Sequence, residues 1–279
     1  MFLLVNRPFE RYHRNMKNSS SKNKVALVTG ADRGIGFEIC RQLAESGFSV
    51  ILGSPDPAKG KTAAQRLKAT GANVVYQPLD LLNNNDIAAL LAFVIKTFGR
   101  LDVLVNNAGI SLDLGMSRVE GLLARKLKKI PKKKDYGNGP GILGADLDIL
   151  RATLEVNTLG ALKMCQAFVP LMIKAGHGRV INISSTLGQL ARMNDEDKVP
   201  AYQLSKTALN AVTRMMADAA KNGHVSVNSV CPGWTRTRLG GPDAPQSPRQ
   251  AAKDIVWLAV QAKPSLTGKF FQHRKVIEW

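Results

Sequence analysis

From Val25 onward, short apolar runs alternate with longer stretches of helical period, and this alternation restricts the fold more than any other feature of the chain. Val25–Val28 reads as a buried strand, and Gly36–Ser46 as a helix with Ile39, Leu43 and Ala44 turned inward. The pattern then repeats. Further strands are predicted at Ser49–Leu52, Asn73–Tyr76, Leu101–Val105, Arg179–Ile183, Ser226–Val230 and Lys269–Phe271. Helices are predicted at Ala58–Ala69, Asp86–Phe98, Ala145–Ala175, Ala201–Lys221 and Pro248–Gln261. Such β-α-β succession implies an α/β protein: one doubly wound parallel sheet of about seven strands with helices on both faces. In sheets of this kind ligands bind beyond the carboxyl ends of the strands, so the residues just after each strand carry the functional information.

Charge sets two segments apart from this frame. Of the formal net charge of +18, residues 1–24 supply +5 and residues 117–135 supply +6. Residues 1–23 are read as a basic, disordered extension in front of a single domain at 24–279, and residues of about 117–141 as a basic surface insertion in that domain. The extension shares its composition with transit peptides; a solvated tail on a cytoplasmic protein is the reading taken. Three widely separated cysteines (Cys40, Cys165 and Cys231), with no CxxC pair and no adjacent histidine, argue against a disulfide framework or a metal site and suit a reducing compartment. No run approaches the 18 apolar residues of a membrane span. One aromatic, Tyr136, stands among the lysines of the insertion, too few to suggest a specific nucleic-acid surface. The four histidines form no catalytic arrangement, and Met164, Met215 and Met216 fall at positions that read as helix core.

Three local patterns carry chemistry. After the first strand stands Thr29-Gly30-Ala31-Asp32-Arg33-Gly34-Ile35-Gly36, whose glycines allow a sharp turn and a close approach to a pyrophosphate at the N-terminus of the next helix. Tyr202 and Lys206 lie four apart on one face of a helix. An ammonium beside a phenol favours the phenolate and lowers its pKa, making the tyrosine a usable proton donor and acceptor nearer neutrality. Ser184 and Ser185 follow a strand directly, where a hydroxyl can donate to a substrate oxygen as charge develops on it.

Taken together, these patterns resemble the short-chain dehydrogenase/reductase superfamily, and within it the carbonyl-reductase-like members. Thr29–Gly36 is similar to that family's TGxxxGxG motif, Asn106–Gly109 to its NNAG motif, Ser185 with Tyr202 and Lys206 to its serine and YxxxK pair, and Pro232-Gly233 with Thr237 to its PG motif. The resemblance implies a Rossmann fold and an oxidoreductase moving a hydride between a nicotinamide cofactor and a small-molecule carbonyl or alcohol. Tyr202 would protonate the carbonyl oxygen, Ser185 would steady it, Lys206 would hold the nicotinamide ribose, and Asn157 would anchor a proton-supplying water. It also implies cofactor contacts at Gly30, Asp32, Arg33, Gly34, Ile35, Gly36, Asp80, Leu81, Asn107, Ala108, Gly109, Pro232, Gly233, Thr235 and Thr237, besides Tyr202 and Lys206. Homo-oligomer and monomer both fit it.

NADP(H) is expected over NAD(H). The second strand ends Leu52-Gly53-Ser54-Pro55-Asp56, with no acid in the first positions to repel a 2′-phosphate. Arg33 offers a guanidinium to clamp that group, with Lys59 or Lys61 as further cations. Asp56 would favour NAD(H) if it turned inward. Trp234 is read equally as pocket wall or as structure. A non-catalytic nicotinamide-binding sensor is the second reading, against which the full set of Ser185, Tyr202 and Lys206 speaks.

Overall fold

The computed structural model describes residues 23–113, 139, 141–263 and 265–279, so the basic extension and most of the basic insertion lie outside the described residues. The elements run β1 Val25–Val28, α1 Gly34–Glu45, β2 Ser49–Ser54, α2 Pro57–Lys68, β3 Val74–Pro78, α3 Asn84–Thr97 and β4 Val103–Asn106. Then come α4 Leu147–Leu154, a π-helical turn Glu155–Gly160, α5 Ala161–Ala175 and β5 Gly178–Ile183. The chain closes with α6 Pro200–Ala220, β6 Val225–Cys231, α7 Pro248–Val260, β7 Phe270–Gln272 and β8 Lys275–Ile277.

All the strands join one sheet in the order β3-β2-β1-β4-β5-β6-β7-β8, parallel throughout except for β8, which runs antiparallel to β7. The central strands β1, β2, β4, β5 and β6 are buried on both faces, which is why they read as apolar runs. In β1, Ala26 and Val28 point into one core with Ile39 and Leu43 of α1, Ala63 and Leu67 of α2, and Ile255 and Leu258 of α7. Val25 and Leu27 point into the other, with Leu90 and Val94 of α3, Met164, Phe168 and Met172 of α5, and Ala217 and Ala220 of α6. The sheet order reverses direction between β1 and β4, so the turns that follow these two strands splay apart and leave a crevice.

Three local outcomes differ from the sequence reading. The stretch Ala145–Ala175, read as one helix, is two helices joined by the wide turn Glu155–Gly160. Its apolar composition alone would suit a membrane span, but 61 % of its most apolar window is buried in the protein. The closing strand β8 is absent from that reading because its three residues, Lys275–Ile277, are exposed or half-buried at a sheet edge and show no apolar run. Met215 is 74 % exposed rather than core, whereas Met164 is fully buried.

Candidate active site

The crevice at the β1/β4 reversal is a cavity of about 550 Å³. Its floor is the turn after β1. Gly30 (φ +61°) and Gly34 (φ +58°) take left-handed backbone, and a Cβ on Gly30 would stand 2.9 Å from Ala108 Cα. The turn is thus pressed against the segment after β4. Thr29 Oγ1 accepts from the N–H groups of Asn107 (3.1 Å) and Ala108 (3.0 Å). Asn107 Nδ2 donates back to the carbonyls of Thr29 (2.9 Å) and Gly30 (3.0 Å). A Cβ at Gly36 would fall 2.5 Å from that same Nδ2, so the clasp itself requires glycine there. Helix α1 starts from Arg33, which gives it no side-chain cap, and its first N–H groups and positive dipole end face the cavity.

One wall holds the proton-handling groups. Tyr202 (8 % exposed) and Lys206 (3 % exposed) both line the cavity from α6. Lys206 Nζ lies 5.4 Å from the tyrosine ring centroid and donates to the Ile183 carbonyl at the end of β5 (2.8 Å). Burial lowers the Lys206 pKa from 10.5 to about 8, with a small opposing effect from Cys231. Gly109 leaves room for this ammonium: a Cβ there would lie 3.4 Å from both Lys206 Nζ and Asn157 Oδ1.

Asn157 sits in the π turn between α4 and α5 and is buried. Its Oδ1 accepts from Ile110 N–H (2.8 Å), while Nδ2 donates to Ile110 O (2.8 Å) and to Ser205 Oγ (3.0 Å). Thr158 Oγ1, next along the turn, donates to the Ser205 carbonyl (2.8 Å). A π turn is uncommon and concentrates at functional positions; here it grips α6 one residue before Lys206.

Most of the residues predicted for the cofactor line the cavity: Gly30, Asp32, Arg33, Gly34, Ile35, Gly36, Asp80, Leu81, Asn107, Ala108, Gly109, Tyr202, Lys206, Pro232 and Thr237. Asp80 holds its own loop by accepting from Leu82 N–H (3.0 Å). Thr237 packs on the glycine turn, its Cγ2 3.5 Å from where a Cβ of Gly34 would be. Thr235 does not join them; it is buried and donates back to the Gly233 carbonyl (3.0 Å). Gly233 (φ +78°) makes the turn that carries Thr237 round to the cavity. Ser184 is on the wall and donates to Asn210 Oδ1 (2.7 Å), whereas Ser185 caps the short helical turn Thr186–Gly188 by accepting from Leu187 N–H (3.2 Å). Trp234 is 53 % exposed, donates to the Gly240 carbonyl (2.7 Å) and is not on the wall.

Beside the crevice, a second hollow of about 330 Å³ brings Arg33 together with Lys59 and Arg66 of α2. Asp56, the acid that bore on cofactor choice, serves as the N-cap of α2, accepting from the N–H groups of Ala58 (3.0 Å) and Lys59 (3.1 Å). The Lys59 ammonium hydrogen-bonds it too and holds its carboxyl below the usual range. Asp32 also lines the hollow and pairs with Arg33 (2.7 Å), so its lining holds three cations against one acid and is net basic. Lys61, the alternative to Lys59, is not among its lining residues.

The family model described as short chain dehydrogenase matches residues 24–130 and 137–247. The chain is a member of the short-chain dehydrogenases. Its relatives include a (+)-neomenthol dehydrogenase of Arabidopsis thaliana, 32 % identical over 92 % of this chain and 98 % of that protein. A carbonyl reductase [NADPH] 1 of Sus scrofa is 30 % identical, covering 93 % of this chain and 96 % of that one. The solved structure of a metagenomic short-chain oxidoreductase in complex with NADP superposes with a TM-score of 0.68 at 30 % identity, over 89 % of this chain and 95 % of that one. Membership makes the protein an oxidoreductase of the α/β class that the sheet order displays.

Several wall residues of this dehydrogenase escape the sequence reading: Ile110, Val156, Arg236, Arg238 and Leu239. Arg236 is fixed by the carbonyls of Ala244 and Pro245 (2.8 Å each), partners that no spacing in the sequence signals. Leu239 and Leu187 flank Tyr202 and Val199 in a small apolar cluster.

Proposed function

We propose that the protein is an NADP(H)-dependent reductase of small-molecule ketones or aldehydes, with Tyr202 as the general acid. The observation that carries this reading is the burial of Tyr202 and Lys206 side by side on the wall of a crevice whose floor is a glycine turn at a helix N-terminus. The crevice fits a dinucleotide. Gly30, Gly34 and the open N–H groups of α1 suit a pyrophosphate, and Asp80 with Leu81 flank the adenosine side. The hollow formed by Arg33, Lys59 and Arg66 suits a 2′-phosphate: Asp56 is committed to its helix, and Asp32, the acid on the lining, is outnumbered by three cations and paired with Arg33. The relatives named for NADPH and the neighbour solved with NADP support the same choice.

The bound nicotinamide supplies the hydride; the protein handles the proton. Tyr202 donates its phenolic proton to the carbonyl oxygen as the alcohol forms. Lys206, held by Ile183 O beside the Tyr202 ring, would hold the ribose hydroxyls and would stabilise the phenolate left on Tyr202. Ser185, one residue beyond the wall, would donate its hydroxyl proton to the substrate oxygen while its Oγ accepts from Leu187 N–H. Asn157 anchors the water that returns a proton through Lys206. Leu187 and Leu239 give the substrate side an apolar lining.

Titration with NADPH and NADH, followed by nicotinamide fluorescence, and then turnover of a carbonyl panel, tests the proposal. NADPH is expected to bind more tightly, with Tyr202→Phe lowering kcat by about 10³-fold and leaving NADPH affinity within a factor of two or so. Turnover that survives in Tyr202→Phe would overturn the role of the tyrosine. Failure of both nucleotides to bind would overturn the whole reading.

A further inference from the structure

Helix α6 carries both Tyr202 and Lys206, yet its own sequence gives it a poor start. Val199 stands at the N-cap and offers no side-chain acceptor, and Pro200 follows. The first N–H groups of a helix need acceptors, and an apolar N-cap leaves them bare inside a protein. Here the acceptor comes from far away in the sequence. Asp113 Oδ2 accepts from Tyr202 N–H (2.9 Å) and Oδ1 from Ala201 N–H (3.3 Å), across 89 and 88 residues of chain. The carboxylate is buried at 7 % exposure and sits at the positive end of the helix dipole.

The same residue is held from its other side. Ser205 Oγ donates to the Tyr202 carbonyl (2.8 Å) and itself accepts from Asn157 Nδ2 (3.0 Å). Asn157 in turn grips Ile110, three residues before Asp113. Residues 107–113 therefore form a strap with three attachments: Asn107 to the glycine turn, Ile110 to Asn157, and Asp113 to Tyr202. The loop leading into α6 is braced as well. Ile142 N–H donates to Asp195 Oδ1 (2.9 Å), and Lys198 Nζ pairs with Asp195 Oδ2 (2.7 Å) just ahead of Val199.

We infer that Asp113 is a positioning residue for Tyr202: its buried carboxylate caps α6 in trans and fixes the tyrosine relative to the cofactor-binding turn at the other end of the strap. The inference rests on the proposed role of Tyr202. A carboxylate in this place has a structural reason to be acidic rather than amide or aliphatic. Its two oxygens meet two N–H groups and a negative charge complements the helix end, so these bonds offset part of the burial that raises its pKa above the usual carboxylate range.

The test uses the full chain with NADPH bound. Asp113→Ala is expected to lower kcat by about 30-fold, since sub-ångström misplacement of a reacting group costs one to two orders of magnitude. The Kd for NADPH, set by the opposite end of the strap, should stay within about twofold of the parent. Asp113→Asn, which keeps one oxygen facing Tyr202 N–H, should recover most of the lost kcat, a rescue that general loosening of the fold would not give. Hydrogen exchange over residues 199–207 supplies a readout independent of turnover, with the Ala201 and Tyr202 amides exchanging at least about 10-fold faster in Asp113→Ala. Unchanged exchange there overturns the inference whatever the activity. So does a kcat loss matched by an equal loss of NADPH affinity. Should Tyr202→Phe keep its turnover, the tyrosine's role fails, while the exchange result still decides whether Asp113 clasps the helix.

Discussion

Each end of the sheet buries a charge. At the amino ends of β1, β4 and β5, the Asp102 carboxylate accepts from Arg100 Nη2 (2.6 Å) and Nε (3.0 Å), from Val25 N–H (2.8 Å) and from the His177 ring (2.8 Å). Burial alone would raise its pKa, but these partners outweigh burial and hold the carboxyl below the usual range. At the carboxyl ends, Lys206 is buried beside the cavity with the Ile183 carbonyl as its hydrogen-bond acceptor, and there burial wins and its pKa drops to about 8. A charge compensated on every side ties strands together. A charge left electrostatically hungry next to a cavity is poised to act on whatever enters. The amino edge is built to hold and the carboxyl edge to react.

If that division is right, substitutions at the two edges should separate activity from stability. Tyr202→Phe gives the largest effect, the ~10³-fold loss of kcat, with a urea midpoint close to that of the parent. Lys206→Met comes next and separates the two properties more sharply. It should cost at least about 10²-fold in kcat, yet raise unfolding free energy by roughly 1 kcal/mol, because an uncompensated buried charge gives way to an apolar chain of similar length. The pH dependence has a definite sign. Lys206 is charged below about 8, so kcat/KM for carbonyl reduction by the parent falls as pH rises through that value. The cost of burying the ammonium is fully present below about 8 and fades as pH climbs toward the ordinary lysine value of 10.5.

At the other edge, Asp102→Asn should cost about 3 kcal/mol in urea unfolding, through a buried partner network broken on one side, with kcat per folded molecule unchanged. Its stability contribution is present above the usual carboxylate pKa and is lost as pH falls through the lowered folded value, the reverse of Lys206. A kcat loss in Asp102→Asn that matches its stability loss would break the comparison. The smallest effect belongs to Arg33, exposed at the lip of the basic hollow. Arg33→Ala should reduce the preference for NADPH over NADH by about 10-fold, the value of one charge-assisted contact, and leave the urea midpoint unmoved.

The layout of the fold is legible in the sequence wherever a local pattern has one physical solution. Apolar runs such as Val25–Val28 and Ser226–Val230 become central strands because both faces of a parallel sheet are covered. Thr29–Gly36 must form a left-handed turn, and Tyr202 and Lys206 must share a helix face. Sheet order brings that turn and that helix to the same cavity, one as floor and one as wall. What stays hidden is everything supplied by a distant partner. Nothing around Asn157 marks a π turn, since the turn is stabilised by Ile110 and Ser205. Strand β8 exists because β7 offers it an edge. Asp56 lies on the legible side of that line: its capping partners are the N–H groups of Ala58 and Lys59, so Asp56 followed by Pro57 marks a helix start within the sequence itself.

The sequence by itself determined the sheet, the glycine turn and the pair Tyr202 and Lys206, because spacing along a strand or helix sets direction without outside help. Tertiary structure decided the rest: how deeply Lys206 is buried, that Arg33, Lys59 and Arg66 share one hollow, and that Asp113 closes the start of the catalytic helix. Those properties depend on desolvation and on hydrogen bonds between residues tens of positions apart, and neither is encoded in any short stretch of chain.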